Sequence, residues 1–218
     1  MKKVLGEFLG TSILATVVVG SGAMGENLSK DVGVQLLINA AATGAALWLL
    51  ITLFAPISGA HFNPVVTGIA FFRKEISIQG ALQYFTAQVI GAVSGTLLAN
   101  LLFEHPAIDI SGKNRDGGNL FLSEILATAG LVFVIYQLSQ IKDGAHIPFG
   151  VAAWIFAAYF FTSSTSFANP AITIGRIFSN TFAGIAPHSA LAFIPFQILG
   201  GAIGYLVFKS LNKKAAVK

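Results

Sequence analysis

Six long apolar stretches constrain the fold of this chain more than any other feature of its sequence. A helix needs roughly 20 mainly apolar residues to cross the hydrocarbon core of a bilayer. The stretches of suitable length lie at about 4–24, 33–54, 80–103, 119–140, 147–163 and 188–209. They are continuously apolar, whereas strands of a membrane barrel alternate apolar and polar residues. The sequence therefore predicts an all-α membrane protein with six spanning helices in a single domain over residues 1–218.

The composition agrees with a membrane protein and excludes several other classes. Of the 218 residues, 55% are hydrophobic and 10% are charged, against about 25% charged in a typical soluble domain. The net charge of +4 is not gathered into a basic stripe, so we expect no nucleic-acid partner. The chain has no cysteine, and its four histidines are scattered, which argues against a metal site. We expect the lipid bilayer as the main partner, no cofactor and no enzymatic chemistry.

The basic residues predict how the chain is oriented in the membrane. After six crossings, nine basic residues fall on one side: Lys2, Lys3, Arg73, Lys74, Lys142, Lys209, Lys213, Lys214 and Lys218. Four fall on the other: Lys30, Lys113, Arg115 and Arg176. Because short cytoplasmic loops carry an excess of Lys and Arg, both termini are predicted to be cytoplasmic. The expected location is the plasma membrane, which is the inner membrane of a bacterium.

The sequence repeats itself once, at about 1–110 and 111–218. Asn63-Pro64-Val65-Val66-Thr67 recurs 106 residues later as Asn169-Pro170-Ala171-Ile172-Thr173. Other residues recur in matching order, namely Gly44 as Gly150, Trp48 as Trp154, Phe54 as Phe160, Glu7 as Glu124, Gln88 as Gln197, Gly91 as Gly200 and Gly95 as Gly204. Each half holds three crossings, so the second half starts on the opposite face of the membrane. The repeat is therefore predicted to be inverted.

Each Asn-Pro opens a short apolar segment, at about 63–73 and 169–180. Roughly 11 residues of helix reach about 16 Å, close to half of the hydrocarbon thickness. Asn is a favoured N-cap and Pro is favoured at the first helical position, so both segments are predicted to be re-entrant half-helices. Inversion places their N-termini together at the midplane, where the helix dipoles repel cations. The amides of Asn63 and Asn169 can then donate to a polar neutral solute in a pore.

These motifs resemble the aquaporin and aquaglyceroporin family, the major intrinsic proteins, over essentially the whole chain. The resemblance is carried by residues 58–67 and 166–171 and by the paired Glu and Gln residues. It implies a right-handed bundle of six spanning helices and two half-helices, one pore per subunit, and a homotetramer. Val65 stands where the family usually has Ala. In the family this residue packs rather than conducts, so a slight widening or shift at the midplane is expected.

The family's selectivity filter uses four positions, and spacing from the Asn-Pro motifs assigns them to Thr43, Ala157, Ser166 and Ile172. Ile172 replaces an almost universal Arg, and Thr43 replaces an aromatic residue. Both changes remove bulk, and one removes a fixed charge with five donors. The filter is therefore expected to be wide and weakly polar, and atypical for the family. Thr43 with Ile172 also resembles a bacterial subgroup associated with arsenic detoxification, whose members conduct arsenite.

Two further residues are candidates for lining or gating the pore, and each leaves two interpretations open. Arg176 lies four residues after Ile172, on the same face of the half-helix. It either substitutes for the missing filter Arg or caps the half-helix end and pairs with a loop. His61 either contributes to the cytoplasmic half of the pore, where it can titrate near neutral pH, or is a structural loop histidine.

Glu7 and Glu124 lie inside spanning segments, where a carboxylate is costly and often functional. They either support the re-entrant loops as buttresses, as the resemblance implies, or relay protons. Gln88 and Gln197 are predicted to form hydrogen bonds between helices. We expect a passive channel for water and small neutral solutes such as glycerol-like polyols, urea, ammonia and arsenite. The alternative is a proton-coupled secondary transporter of a small neutral solute, with Glu7 and Glu124 as coupling groups.

Overall fold

The fold was analysed in a computed structural model that describes residues 1–141, 144 and 146–212. Four of the basic residues counted for orientation, Lys142, Lys213, Lys214 and Lys218, lie outside these residues. Within the described part, all regular secondary structure is helical, which confirms the predicted fold class. The helices are α1 (Lys2–Leu28), α2 (Val32–Ser58), α3 (Pro64–Phe72), α4 (Ile78–Leu102), α5 (Gly118–Leu138), α6 (Ile147–Phe161), α7 (Pro170–Gly175) and α8 (Pro187–Leu211), with a 3-10 turn at Arg176–Phe178.

Six of these helices correspond to the six apolar stretches. Five of them, α1, α2, α4, α5 and α8, are long and apolar enough to cross a membrane. The sixth, α6, has 15 residues and reaches about 22 Å. Large apolar side chains such as Leu49, Leu122 and Leu206 are exposed on the outside of the bundle. Since water would make this surface costly, the chain is a multi-pass membrane protein.

Local sequence sets several of the helix ends. The carboxylate of Asp31 caps α2 by accepting from the backbone N–H groups of Gly33 at 2.7 Å and Val34 at 3.1 Å. The helix ends at Gly59, whose φ of 90° is left-handed and therefore favours glycine. Ser77 caps α4 by accepting from the N–H of Gly80 at 3.1 Å.

Glycines allow four of the spanning helices to pack closely in two equivalent pairs. α1 packs on α4, and α5 packs on α8. A Cβ on Gly91 or Gly95 would lie less than 3.0 Å from the backbone of α1, and one on Gly200 or Gly204 would lie equally close to α5. The four glycines are thus required for helix packing, as the repeat predicts.

The two half-helices lie between these pairs, but they differ in length. α3 has nine residues, whereas α7 has six and tightens into the 3-10 turn at Arg176. The α-helical part of the second copy is therefore shorter than the predicted segment 169–180.

The connection between α4 and α5 is a loop that backbone hydrogen bonds tie to another segment. The N–H groups of Asp109 and Ser111 donate to the carbonyls of Phe178 and Ile177, at 3.2 and 2.8 Å. The loop is therefore fixed to the chain that follows α7.

Candidate functional site

Each half-helix begins with the Asn cap that the sequence predicts. The side-chain oxygen of Asn63 accepts from the N–H of Val65 at 2.9 Å. That of Asn169 accepts from the N–H groups of Ala171 at 3.0 Å and Ile172 at 3.3 Å. In both cases a proline occupies the first turn, where its missing N–H costs nothing.

The two helix tips are joined directly by reciprocal hydrogen bonds. The amide nitrogen of Asn63 donates to the carbonyl of Ala168, and that of Asn169 donates to the carbonyl of Phe62, both at 2.8 Å. Phe62 and Ala168 have φ angles of 48° and 47°, in the left-handed region that non-glycine residues rarely adopt. This strained turn aims each carbonyl at the opposite Asn. Each amide keeps a second N–H that is not used in this bond.

Glu7 holds the first re-entrant loop. One carboxylate oxygen accepts from the hydroxyl of Ser58 at 2.7 Å and the N–H of His61 at 3.0 Å. The other accepts from the N–H of Phe62 at 2.7 Å and the amide of Gln88 at 2.8 Å. The Glu7 side chain is completely buried, and both of its oxygens are saturated with donors.

Glu124 repeats this arrangement around the second loop. It accepts from the hydroxyl of Ser164 at 2.6 Å and the N–H of Phe167 at 3.0 Å through one oxygen. The N–H of Ala168 at 2.9 Å and the amide of Gln197 at 2.7 Å donate to the other. The structure thus brings each predicted Glu and Gln pair onto the backbone just before an Asn-Pro motif.

The Gln amides also fix the half-helices. Gln88 donates to the hydroxyl of Thr67 in α3, and Gln197 donates to that of Thr173 in α7, both at 2.9 Å. A spanning helix, a carboxylate, a re-entrant loop and a half-helix are therefore linked in one network in each half.

A continuous cavity of about 330 Å³ passes the tips of the half-helices. It extends from Glu75 and Tyr136, near the end of α3, past Asn63 and Asn169 to Arg176, just beyond the end of α7. Its walls between these points are mainly apolar, formed by residues such as Leu14, Val18, Leu47, Ile51, Val66, Leu131, Val151 and Ile155. Neither Glu7 nor Glu124 is among the lining residues that the structure describes. This shape suits a narrow path with a few polar groups.

His61 lines this cavity on the α3 side of the tips. Its ring nitrogen Nδ1 lies 3.0 Å from the hydroxyl of Thr67, and its ring makes an edge contact with Tyr84 at 5.4 Å between centroids. It is therefore both a lining residue and part of the loop's own packing.

Three of the four assigned filter residues line the cavity, but Ala157 does not. Thr43, Ser166 and Ile172 are lining residues, each less than 5% exposed. Ala157 is on the exposed outer side of α6. The lining residues of α6 are Ile147, Val151, Ile155 and Tyr159, spaced by four residues, and Pro148 beside the first of them. At 100° per residue, Ala157 points about 200° away from Tyr159, so its assignment to the filter is wrong.

Arg176 satisfies parts of both interpretations. It lines the cavity and is only 2% exposed. Its Nε donates to the carbonyl of Ala183, and its guanidinium lies 3.5 Å from the ring centroid of Phe167. Within the described residues, its two terminal nitrogens have no protein hydrogen-bond partner. The loop thus anchors one side of the guanidinium, while the cavity receives the other.

Several known proteins are similar to this chain in sequence and in fold. Residues 1–147 match the family of major intrinsic proteins. The chain is 41% identical over 214 residues to the aquaglyceroporin AqpS of Rhizobium meliloti (strain 1021), covering 98% of this chain and 91% of that protein. The chain belongs to the major intrinsic protein family. It is also 30% identical over 188 residues to the aquaporin TIP1-1 of Arabidopsis thaliana, covering 80% of this chain and 74% of that protein.

A solved structure shows the same fold for this major intrinsic protein. The X-ray structure of the aquaglyceroporin from Plasmodium falciparum has a TM-score of 0.73, with 98% of this chain and 96% of that chain covered. The sequence identity is 22%. The aquaporin fold of six spanning helices and two half-helices is therefore confirmed.

Sequence reasoning missed Tyr159, which this major intrinsic protein places opposite Thr43. Its hydroxyl lies 3.2 Å from that of Thr43. The signal was available, because Tyr159 follows Val151 and Ile155 at helical spacing on an otherwise apolar helix. Counting backwards from Asn169 failed because the intervening re-entrant loop has no fixed relation to the phase of α6.

Val65 and Ala171, the third residues of the two motifs, lie away from the cavity. Val65 packs against Val132 and against the backbone of Gly201 in α8. Ala171 is completely buried. The departure from Asn-Pro-Ala is thus accommodated by helix packing.

Two basic residues of the loop before α5 hold the loop that follows Arg176. Lys113 donates to the carbonyl of Phe182 at 2.9 Å, and Arg115 donates to the carbonyl of Gly184 at 3.0 Å. Burial lowers the pKa of Lys113 to about 8 and that of Arg115 to about 10, and for Lys113 the neighbouring guanidiniums add to the effect. This end of the pore is therefore braced by cations in direct contact with backbone oxygens.

Proposed function

We propose that the chain is a passive channel for water and small neutral solutes such as glycerol, driven by their gradients. The observation that carries this proposal is the meeting of two half-helix tips, through Asn63 and Asn169, beside a continuous cavity. Each tip contributes about half a positive charge, which disfavours cations, while the spare amide donors suit neutral oxygen-bearing solutes. Such a channel catalyses no reaction and is not an enzyme.

The constriction of this channel is formed by Thr43, Tyr159, Ser166, Ile172 and Arg176. Tyr159 takes the place first assigned to Ala157, and Arg176 supplies the cation that Ile172 lacks. The filter is thus more polar than the sequence suggests, with three hydroxyls and one guanidinium against an apolar wall. The hydroxyl of Ser166 is buried and has no hydrogen-bond partner among the described residues.

This chemistry favours small solutes with several oxygens. A polyol offers hydroxyls that can both accept from Arg176 and exchange hydrogen bonds with Thr43 and Tyr159. Glycerol, urea, ammonia and undissociated arsenite are the solutes of this class that we expect to pass. Similarity to an aquaglyceroporin supports the passage of polyols. The combination of Thr43 with Ile172 supports the passage of arsenite.

The alternative, a proton-coupled transporter, would require Glu7 and Glu124 to exchange protons with the pathway. Both carboxylates are saturated by four donors each and lie behind the loops. We therefore assign them, with Gln88 and Gln197, the role of structural buttresses. His61 is assigned to the pore wall between the tips and the α3 end.

Stopped-flow measurements in proteoliposomes test the channel directly. Flux of glycerol should rise linearly with concentration and should not respond to a pH gradient. Saturation together with a response to pH would favour the transporter instead. A panel of water, glycerol, urea, ammonia and arsenite then ranks the solutes.

Arg176→Ala tests the filter assignment, with Lys30→Ala, an exposed cation that does not line the cavity, as the control. The first should increase potassium conductance while the second leaves it unchanged. Equal conductance in both variants would remove Arg176 from the selectivity filter.

The proposed setting is a homotetramer in the plasma membrane with both termini in the cytoplasm, each subunit being one channel domain of two inverted repeats. The excess of Lys and Arg on the side of the termini supports the orientation. The mass of the protein in detergent, and the accessibility of single cysteines introduced at Lys3 and Lys30, test the assembly and the topology.

A further inference from the structure

A deep apolar groove runs along the outside of the molecule between α4 and α8. The half-helices separate these two helices and form the floor of the groove at Pro64, Val65 and Pro170. Phe85 of α4 and Ile198 of α8 form its walls. Its volume is about 670 Å³, which exceeds that of the pore. Among the lining residues, only Tyr205 carries a polar side-chain atom.

The groove runs from the end of α3 past the half-helix tips to Ile174 of α7, so its α3 side is open to an acyl chain of one leaflet. Its lining on α8 runs from Ile194 to Leu206, which is about 18 Å of helix. Half of the hydrocarbon core is about 15 Å thick. A Cβ added to Gly68, in the floor of the groove, would meet no atom within 4 Å. The groove therefore has room for an occupant that extends from the α3 end to the midplane.

Basic residues surround the α3 end of the groove. Arg73 follows α3 directly, and its guanidinium lies 5.6 Å from the ring centroid of Tyr205. Lys209 lies one turn after Tyr205 on α8, and Lys74 follows Arg73. Arg73 pairs with Glu75, whereas Lys74 and Lys209 form no ion pair among the described residues. Two cations thus remain for an external anion.

The geometry points to a binding site for an anionic glycerophospholipid of the leaflet on the α3 side. One acyl chain fills the apolar groove, and the phosphate lies beside Lys74 and Lys209. Basic residues where a groove between spanning helices meets the interface suit an anionic headgroup. The acyl chain would then pack on the back of both Asn-Pro motifs and support the half-helices from outside the pore.

Native mass spectrometry of the full chain, titrated with phosphatidylglycerol or phosphatidylcholine of identical chains, tests this site. Wild type should retain phosphatidylglycerol more strongly. Gly68→Leu and Ala202→Phe fill the groove from its floor and its wall, and each should weaken retention of both lipids at least ten-fold. Lys209→Gln should weaken phosphatidylglycerol about five-fold and leave phosphatidylcholine unchanged. Lys30→Gln, on the opposite face, is the matched control and should change neither.

Wild-type retention in both groove-filling variants would overturn the proposal, as would equal binding of the two lipids with no effect of Lys209→Gln. A change of oligomeric mass in the groove-filling variants, with lipid binding intact, would identify the groove as a contact between copies instead. Glycerol flux in proteoliposomes reports separately whether each variant still folds and conducts, so failure of the lipid site and failure of the channel are distinguishable.

Discussion

Val65 and Gly201 form a pair whose packing explains the unusual first motif. A Cβ on Gly201 would overlap Cγ1 of Val65, and the next neighbour, Cγ2 of Val132, is 3.7 Å away. Gly201→Ala therefore creates one steric conflict, with one methyl group of Val65. Overpacking of this kind typically lowers the free energy of unfolding by about 1–3 kcal/mol.

The repeat provides a model for the compensating change. Ala92 of the first half is the counterpart of Gly201, Ala171 of the second half is the counterpart of Val65, and Ala92 packs against α7 at Gly175. Val65→Ala alone removes two methyl groups and should cost about 2 kcal/mol. The double variant places Ala at both positions, as at their counterparts Ala92 and Ala171, so the conflict and most of the void disappear together. A coupling energy of about −2 kcal/mol between the two sites is expected.

Thermal unfolding in detergent measures this coupling. One kcal/mol corresponds to about 2–4 °C for a chain of this size, so Gly201→Ala should lower the apparent Tm by about 2–12 °C. Gly68→Ala is the matched control on α3, because its Cβ meets open space, and it should not lower Tm. The double variant should recover most of the loss. If its Tm falls by the sum of the two single effects, the packing argument is wrong.

Three further predictions concern the loops, the filter and pH. Glu7→Gln should lower the free energy of unfolding by about 1–3 kcal/mol, because the reoriented hydroxyl of Ser58 accepts from the new amide while one buried N–H loses its acceptor. Glu124→Gln should lower Tm equally. A changed response of the flux to pH without a change in Tm would indicate a proton relay. Ile172→Arg adds a second guanidinium to the filter, so in stopped-flow assays it should reduce glycerol flux more than water flux; equal reduction would contradict the filter assignment. Burial lowers the pKa of Lys113 to about 8, so the folded chain binds that proton less tightly than the unfolded chain. Raising the pH from 8 to 10 should therefore stabilise wild type relative to Lys113→Met in thermal unfolding, and parallel curves would contradict this.

The parts that the sequence predicts best are those specified by local chemistry. Asn followed by Pro determines where a helix starts, and two copies at opposite ends of an inverted repeat determine that the starts meet. For Glu7 and Glu124, the family resemblance and their matched positions in the repeat favoured a contact with the loops, with a proton relay as the alternative. None of these inferences depends on the length of a connection.

The sequence predicts poorly those features that depend on where one helix or loop ends and the next begins. The choice of Ala157 over Tyr159 follows from a count across residues 162–168, whose left-handed turns at Thr165, Ser166 and Ala168 no spacing rule anticipates. The position of Arg176 has the same origin, since the change to a 3-10 turn at that residue moves its side chain relative to an ideal helix. Helical periodicity within α6 was the safer guide.

The buttresses raise an electrostatic question, because two buried carboxylates close to the midplane would be expected to attract the cations that the helix tips repel. Their bonding removes the conflict. Each carboxylate accepts two backbone N–H groups, one hydroxyl and one amide, so its charge is spread over donors that face away from the cavity. The lumen instead meets the two helix N-termini, the spare amide hydrogens of Asn63 and Asn169, and the guanidinium of Arg176. The electrostatic potential is therefore positive at the centre of the path, although the surrounding protein contains both positive and negative groups. Such a path admits neutral solutes that carry oxygen acceptors.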